Sequence, residues 1–193
     1  LMKEGDESKT REVAKKFGGL DENRCFIPKK NLYTYNGHEK AVTAARFIPN
    51  TGHLILSSSM DHTVKIWELF GKRRCVMTYV DHSLAVKDVQ WNSDGSRFLS
   101  CSLDGTVKLW DTEAGKVIQT FESNLPNTAK FHPTDDNAFL VAQTDKNIVQ
   151  WDVLSNNIVQ KYDRHLASVN TITYLDGGRR FVSTSNDKSV RIW

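Results

Sequence analysis

Histidine and aspartate recur together in this chain at a nearly constant separation. Three histidines precede three aspartates by 23, 22 and 22 residues: His38 with Asp61, His82 with Asp104, and His165 with Asp187. A histidine bonded to a carboxylate can act as a general base, and with a serine it would form a nucleophilic triad. Catalytic groups, however, do not normally occur in several copies at a fixed period. The recurrence favours a structural role, and we predict no catalytic residue.

Metal binding is the other chemistry that these residue types offer. The remaining histidines are His53, His62 and His132, and no histidine is paired with another histidine or a cysteine at a recognised ligand spacing. No glycine-rich phosphate-binding loop is present either. We therefore predict no metal and no other cofactor.

Tryptophan shares the period of the histidines. Four tryptophans follow one another at intervals of 43, 41 and 42 residues, and an aromatic residue lies 19 or 20 residues before each. A period of about 40–45 residues with Gly-His and Trp-Asp marks is typical of WD repeats, each of which builds one four-stranded propeller blade. An aspartate lies six residues before each tryptophan: Asp61 before Trp67, Asp104 before Trp110, Asp145 before Trp151, and Asp187 before Trp193.

Short apolar and β-branched runs between turn residues fill each period. In the first period they predict strands at Val42–Ile48, His53–Ser58, Thr63–Trp67 and Arg74–Val80, preceded by an outer strand at Asn31–Tyr35. We predict an all-β, WD40-type β-propeller, of which this chain supplies about four of seven blades. Residues 1–30 are expected to form a short N-terminal extension, partly helical or disordered, and residues 31–193 the incomplete propeller.

The similarity to WD repeats also implies a role for serine. In such repeats a histidine, a serine or threonine, an aspartate and a tryptophan form a hydrogen-bonded group inside the blade, with the serine eight residues before the tryptophan. Ser59, Ser102 and Ser185 have that position here. The third repeat departs from it, because Gln143 stands at the serine position and Ser123 near the histidine position. We expect packing alone to hold the third blade.

The composition of the chain says little about which partners it binds. The net charge of +3 is too small to indicate nucleic-acid binding by itself. Lys72, Arg73 and Arg74 form a short basic cluster, which is either a solvated turn or a contact for an RNA backbone or an acidic partner. Three distant cysteines indicate a reducing compartment, and no apolar run approaches the roughly 20 residues that span a bilayer.

Propellers bind partners through the loops of one face. Leu84, Leu125 and Leu166 lie in the loops that join successive repeats, so they are the candidate apolar anchors for a partner, although each could be an ordinary loop residue. The chain opens with Leu1 and stops within a repeat at Trp193. We therefore expect part of a longer protein and an open arc of blades, rather than a closed four-bladed ring.

Several strings are more specific than a generic WD repeat. The chain resembles the pre-mRNA-processing factor 17 family (also called cell division cycle 40) over about residues 24–193. The strings that carry this resemblance are Arg24–Lys30, Gly52–Ser57, Gly71–Cys75, Lys146–Trp151, Tyr162–Leu166, Val169–Ile172 and Arg179–Ser185.

The resemblance implies a nuclear spliceosomal protein that supports the second catalytic step of splicing. It implies spliceosomal proteins as partners within a large ribonucleoprotein, with contact to the backbone of a small nuclear RNA or a pre-mRNA left open. It implies a seven-bladed scaffold that is not an enzyme and is not bound to a membrane. The alternative is a WD-repeat adaptor of another complex, such as the substrate receptor of a ubiquitin ligase.

Overall fold

The structure is a computed structural model, and it describes residues 30–193. Four antiparallel sheets follow one another along these residues, three with four strands and the last with three. Each sheet corresponds to one predicted repeat, and we call the sheets blades 1 to 4. The prediction of an all-β partial propeller is confirmed. The predictions for the N-terminal extension and for Cys25 fall outside the described residues, whereas Cys75 and Cys101 are free thiols.

The strands of each blade are consecutive in the chain. Blade 1 contains β1 (Val42–Phe47), β2 (Leu54–Ser59), β3 (Thr63–Glu68) and β4 (Cys75–Val80). Blade 2 contains β5 (Val86–Trp91), β6 (Arg97–Ser102), β7 (Thr106–Asp111) and β8 (Val117–Glu122). Blade 3 contains β9 (Pro126–Phe131), β10 (Ala138–Gln143), β11 (Ile148–Asp152) and β12 (Asn157–Tyr162). Blade 4 contains β13 (Val169–Leu175), β14 (Arg180–Ser185) and β15 (Val190–Ile192), with a 3-10 turn at Asp176–Gly178.

The strands predicted for the first repeat agree with β1 to β4 to within one residue at each end. The outer strand at Asn31–Tyr35 stays a prediction, because these residues form no ladder with any described strand. A strand needs a neighbour that pairs with its N–H and C=O groups, and the repeat pattern alone could not supply one here.

The first strand of each blade is the inner one, and successive inner strands pack side by side. Hydrogen bonds cross between them. The Thr43 hydroxyl donates to the backbone oxygen of Val86 at 2.6 Å, and the Asn127 amide donates to that of Val169 at 2.8 Å. Arg46 pairs with the buried carboxylate of Asp88 at 3.1 Å. These contacts hold the blades at fixed positions relative to one another.

Aromatic side chains fill the space between successive blades. Tyr79, on the outer strand of blade 1, packs edge-on against Phe98 and Trp110 of blade 2 at centroid distances of 4.9 and 5.4 Å. Phe121 of blade 2 makes the same contacts with Phe139 and Trp151 of blade 3, at 4.9 and 5.4 Å. Burying one such side chain contributes about 1.5–3 kcal/mol. Trp67, Trp110 and Trp151 are therefore core residues, as their period predicts, and Trp193 is partly buried against the core of blade 4.

Each blade has two edges that differ in their loops. The upper edge carries the turns between the second and third strands, which contain Asp61, Asp104, Asp145 and Asp187, together with the loops that lead to the next blade. The lower edge carries the other turns, such as the one between β3 and β4. In the upper turns the residue after each aspartate has a positive φ, between 65 and 81°, which closes a tight hairpin and aims the carboxylate inward. Within residues 30–193, no helix has the length and apolar character that a bilayer crossing requires.

Candidate functional site

The recurring histidines and aspartates meet in the upper half of each regular blade. In blade 2, His82 Nδ1 lies 2.8 Å from the Asp104 carboxylate, and His82 Nε2 lies 2.7 Å from the Ser100 hydroxyl. The Trp110 indole donates to the same hydroxyl at 2.8 Å. Because a carboxylate can only accept, Nδ1 carries the proton and Nε2 accepts from the serine. Blade 1 repeats this group with His38, Asp61, Ser57 and Trp67, and blade 4 with His165, Asp187, Ser183 and Trp193.

The serine of this group lies ten residues before the tryptophan, not eight. Ser59, Ser102 and Ser185, which were expected in this group, contact its aspartate but neither its histidine nor its tryptophan. Each lies at the end of its strand, accepts from the backbone N–H of the aspartate and donates to a backbone oxygen of the preceding loop. The serine two residues earlier is level with the indole and bonds to it. Both sets of serines recur at the repeat period in the sequence, so the period alone could not distinguish them.

The aspartates of the regular blades are held as carboxylates. Burial raises the pKa of Asp104, but hydrogen bonds from Thr106 and His82 outweigh it, and the pKa is lowered overall. The same balance lowers the pKa of Asp61. For Asp187 the hydroxyl of Ser189 is the largest cause of a lowered pKa. Burial also lowers the pKa of His82, which keeps this imidazole neutral.

These groups contain the residue types of a catalytic triad, but their serine hydroxyls are not accessible to a substrate. The Ser100 and Ser183 side chains are fully buried within their strands, so a substrate cannot reach the hydroxyl. The hydrogen bonds of the group instead connect an upper turn to the strand that carries the tryptophan. Each polar side-chain atom of the group has a hydrogen-bond partner. Among residues 30–193, no three His, Cys, Asp or Glu side chains come together as metal ligands would.

Blade 3 has a different polar group. Ser123 stands in place of the histidine, and Val141 in place of the serine that accepts from the indole. The Gln143 amide oxygen accepts from the Ser123 hydroxyl at 2.6 Å, while its NH₂ group donates to Asp145 at 3.2 Å. The expectation that packing alone holds this blade is wrong, because Gln143 takes over part of the histidine's role. The Trp151 N–H has no partner within the described residues and is buried.

The three candidate leucines lie at the upper edge and are exposed. Leu84 and Leu125 are 47% exposed and Leu166 is 75% exposed. Each belongs to a loop between blades whose backbone is hydrogen-bonded to a neighbouring upper turn. The structure thus places the three on one edge, in successive loops.

The basic cluster lies at the opposite edge. Lys72, Arg73 and Arg74 belong to the lower turn between β3 and β4, where Glu68 N donates to the backbone oxygen of Arg74 at 3.0 Å. Lys72 and Arg74 are exposed, and Arg73 is half-buried. Basic and apolar candidates are therefore on different edges and do not form one site.

The chain matches known proteins along most of its length. The sequence profile of the WD domain, G-beta repeat family matches residues 29–68, 73–111 and 156–193, and it leaves out most of the irregular third blade. The chain is 50% identical to Pre-mRNA-processing factor 17 of Homo sapiens over 173 residues, which are 88% of this chain and 30% of the relative. It is 41% identical to Pre-mRNA-processing factor 17 of Saccharomyces cerevisiae over 174 residues, covering 88% of this chain and 38% of the relative.

A more distant relative also matches most of the chain. Pre-mRNA-processing factor 19 homolog 2 of Arabidopsis thaliana is 33% identical over 185 residues, covering 91% of this chain and 35% of the relative. The chain thus spans between 30% and 38% of the length of these relatives. The resemblance to the pre-mRNA-processing factor 17 family is confirmed by these identities. The four blades, their polar groups and the matched profile together show that the chain belongs to the WD domain, G-beta repeat family.

Proposed function

We propose that this chain belongs to a non-enzymatic scaffold protein of the spliceosome, which acts in the nucleus and supports the second catalytic step of splicing in particular. The observation that carries the proposal is the 50% identity, over 88% of the chain, to a human protein named for pre-mRNA processing. In this proposal the four blades are part of a seven-bladed ring, with residues 31–193 in the propeller and residues 1–30 as an extension.

The proposal of a scaffold rather than an enzyme is supported by where the chemistry-bearing residues lie. The three His–Asp pairs stabilise the blades that contain them. Their partner serines in blades 2 and 4 are fully buried. What remains accessible is a set of loops with exposed apolar side chains. Scaffold proteins act through such surfaces, since a few buried apolar anchors dominate the affinity of an interface.

Two surfaces would serve this function. The upper edge, with Leu84, Leu125 and Leu166, would bind spliceosomal proteins, because its loops are rigidly held and apolar at their tips. The lower turn with Lys72, Arg73 and Arg74 is the candidate for contact with an RNA backbone, because phosphates are bound by clustered basic side chains. Placing the two surfaces on opposite edges would allow one chain to contact protein and RNA at once.

The test is purification of the full-length tagged protein from nuclear extract, followed by depletion and splicing assays. Spliceosomal proteins and small nuclear RNAs should be recovered with it. Depletion should leave the first step intact and let lariat intermediate accumulate, and addition of the protein should restore product. Recovery of ubiquitin-ligase subunits without small nuclear RNA would overturn the proposal in favour of another adaptor. A block before the first step would overturn the assignment to the second.

A further inference from the structure

A groove runs between blades 2 and 3 at the upper edge. It consists of two adjoining cavities of about 550 and 420 Å³, which share Asp104, Ser123, Asn124 and Asp145 in their walls. The other blades place a histidine where Ser123 stands. Because serine lacks the imidazole ring, the third blade leaves part of that space open. Both neighbouring blades are described in full, so the groove does not depend on an end of the chain.

The groove has an unused polar group in its wall. Trp151 lines the larger cavity and is only 8% exposed, and its indole N–H is without a partner among the described residues. In the regular blades this N–H points to a serine that also contacts the histidine. In blade 3 the fully buried Val141 stands at the position of that serine, and the Trp151 nitrogen is enclosed. A buried donor without an acceptor is costly, so this wall of the groove is held less firmly than the same part of the regular blades.

The charge of the groove is negative. Asp104, Glu122 and Asp145 line it, and Lys161 is the single ammonium group in its wall. Glu122 and Asp145 are both exposed, and within residues 30–193 neither has an ion-pair partner. Glu122 comes from the outer strand of blade 2 and Asp145 from the upper turn of blade 3. The two blades thus present carboxylates to the same space.

The rim of the groove is apolar and held in a fixed conformation. Leu125 is 47% exposed and has a φ of 47°, which is unfavourable for a leucine. Its backbone oxygen accepts from both the backbone N–H and the hydroxyl of Thr144, at 3.1 and 2.9 Å. A rim that is already ordered loses little entropy when a ligand binds.

We propose that this groove binds a basic segment of a partner polypeptide. An arginine or lysine side chain of this segment would lie between Glu122 and Asp145. The carboxylates argue for a cationic side chain and against an RNA backbone, which they would repel. The exposed Leu125 would cover an apolar neighbour of the basic residue. The inference rests on the proposed scaffold function, because it names the chemistry of one partner.

The test uses the full-length protein and fluorescent peptides of about nine residues that differ only in a central arginine, lysine, glutamine or glutamate. Anisotropy at low salt should show binding of the arginine and lysine peptides, and at least about tenfold weaker binding of the other two. The double variant Glu122→Gln with Asp145→Asn should lose about tenfold or more in affinity for the arginine peptide. Lys161→Gln should strengthen binding, because it removes the competing ammonium.

The matched control is Glu113→Gln, an exposed carboxylate at the lower edge. It should leave binding unchanged, and all variants should unfold at the midpoint of the parent protein. Equal binding of the glutamine peptide, or equal loss in the control, would overturn the inference. Stronger binding of a single-stranded RNA that competes for the groove would overturn it as well.

The inference and the proposed function can fail separately. If the protein recovers spliceosomal subunits but no basic peptide binds, the groove is not a docking site and the scaffold function stands. If basic peptides bind the groove but no spliceosomal subunit or small nuclear RNA is recovered, the scaffold function fails in the spliceosome while the groove remains a docking site.

Discussion

The indole N–H of Trp110 donates to the hydroxyl of Ser100 at 2.8 Å, and this one contact joins the core of blade 2 to its polar group. The hydroxyl is shared with His82, whose other nitrogen bonds to Asp104. Ser100 is therefore the branch point of the group. Blade 3 has Val141 at the matching position, so the same indole contact is lost there.

Replacement of Ser100 should destabilise the protein more than replacement of Ser102. Ser100→Ala leaves the Trp110 N–H and His82 Nε2 without partners in a buried site, and we expect a loss of about 2–3 kcal/mol in the free energy of unfolding. Ser102→Ala removes bonds to backbone groups near the loop and should cost about 1 kcal/mol. Urea unfolding of both variants measures the difference. A larger loss for Ser102→Ala would mean that the serine nearer the turn is the important one.

Restoring an acceptor for Trp151 should stabilise blade 3. Val141 is fully buried, and Val141→Thr keeps its shape while adding a hydroxyl that can accept from the unpaired indole. We expect a gain of about 1 kcal/mol in the free energy of unfolding. The control is Val107→Thr, a fully buried position in β7, which should lose stability because its hydroxyl gains no such partner. Equal losses for both variants would show that the Trp151 donor has no energetic importance.

Stability should fall as the pH is lowered through the range where free histidine titrates. Burial lowers the pKa of His82 from its ordinary value of 6.5, so the folded chain stays neutral where the unfolded chain binds a proton. Proton uptake by the unfolded state then favours unfolding, by up to about 1.4 kcal/mol per pH unit below that value. The lowered pKa of Asp104 acts in the same direction, but only at more acidic pH.

The pH effect is measured by urea unfolding between pH 7.5 and 5.5. The variant His82→Gln should be less stable at pH 7.5, and its stability should decline less with falling pH. Identical slopes for the variant and the parent protein would show that His82 does not control this range.

The apolar upper edge should be needed for partner binding but not for folding. Leu84→Glu, Leu125→Glu and Leu166→Glu place charges where we expect buried anchors, and each should reduce the recovery of partner proteins by about tenfold or more. The matched control is Leu154→Glu at the lower edge, where the leucine is 79% exposed. Co-purification followed by quantitative mass spectrometry measures the recovery. An equal loss for Leu154→Glu would contradict a specific role of the upper edge.

The sequence by itself determined that residues 30–193 contain four repeats, and it determined most strands of the first repeat and the structural role of the tryptophans. These follow from a period, and a period is visible in one dimension because every blade must present the same residues to its neighbour. It also indicated the irregular third blade through Gln143 and Ser123. It could not choose between Ser100 and Ser102, because both lie on the same face of one strand, two residues apart.

Only the tertiary structure decided which atoms meet. The indole of Trp110 reaches Ser100 because β6 and β7 pair with Phe98 opposite Trp110, which brings the deeper serine level with the ring. Glu122 and Asp145 face one groove because the outer strand of one blade ends beside the upper turn of the next. Such contacts depend on the register of strand pairing and on the angle between blades. The spacing of residues along the chain predicts neither of these.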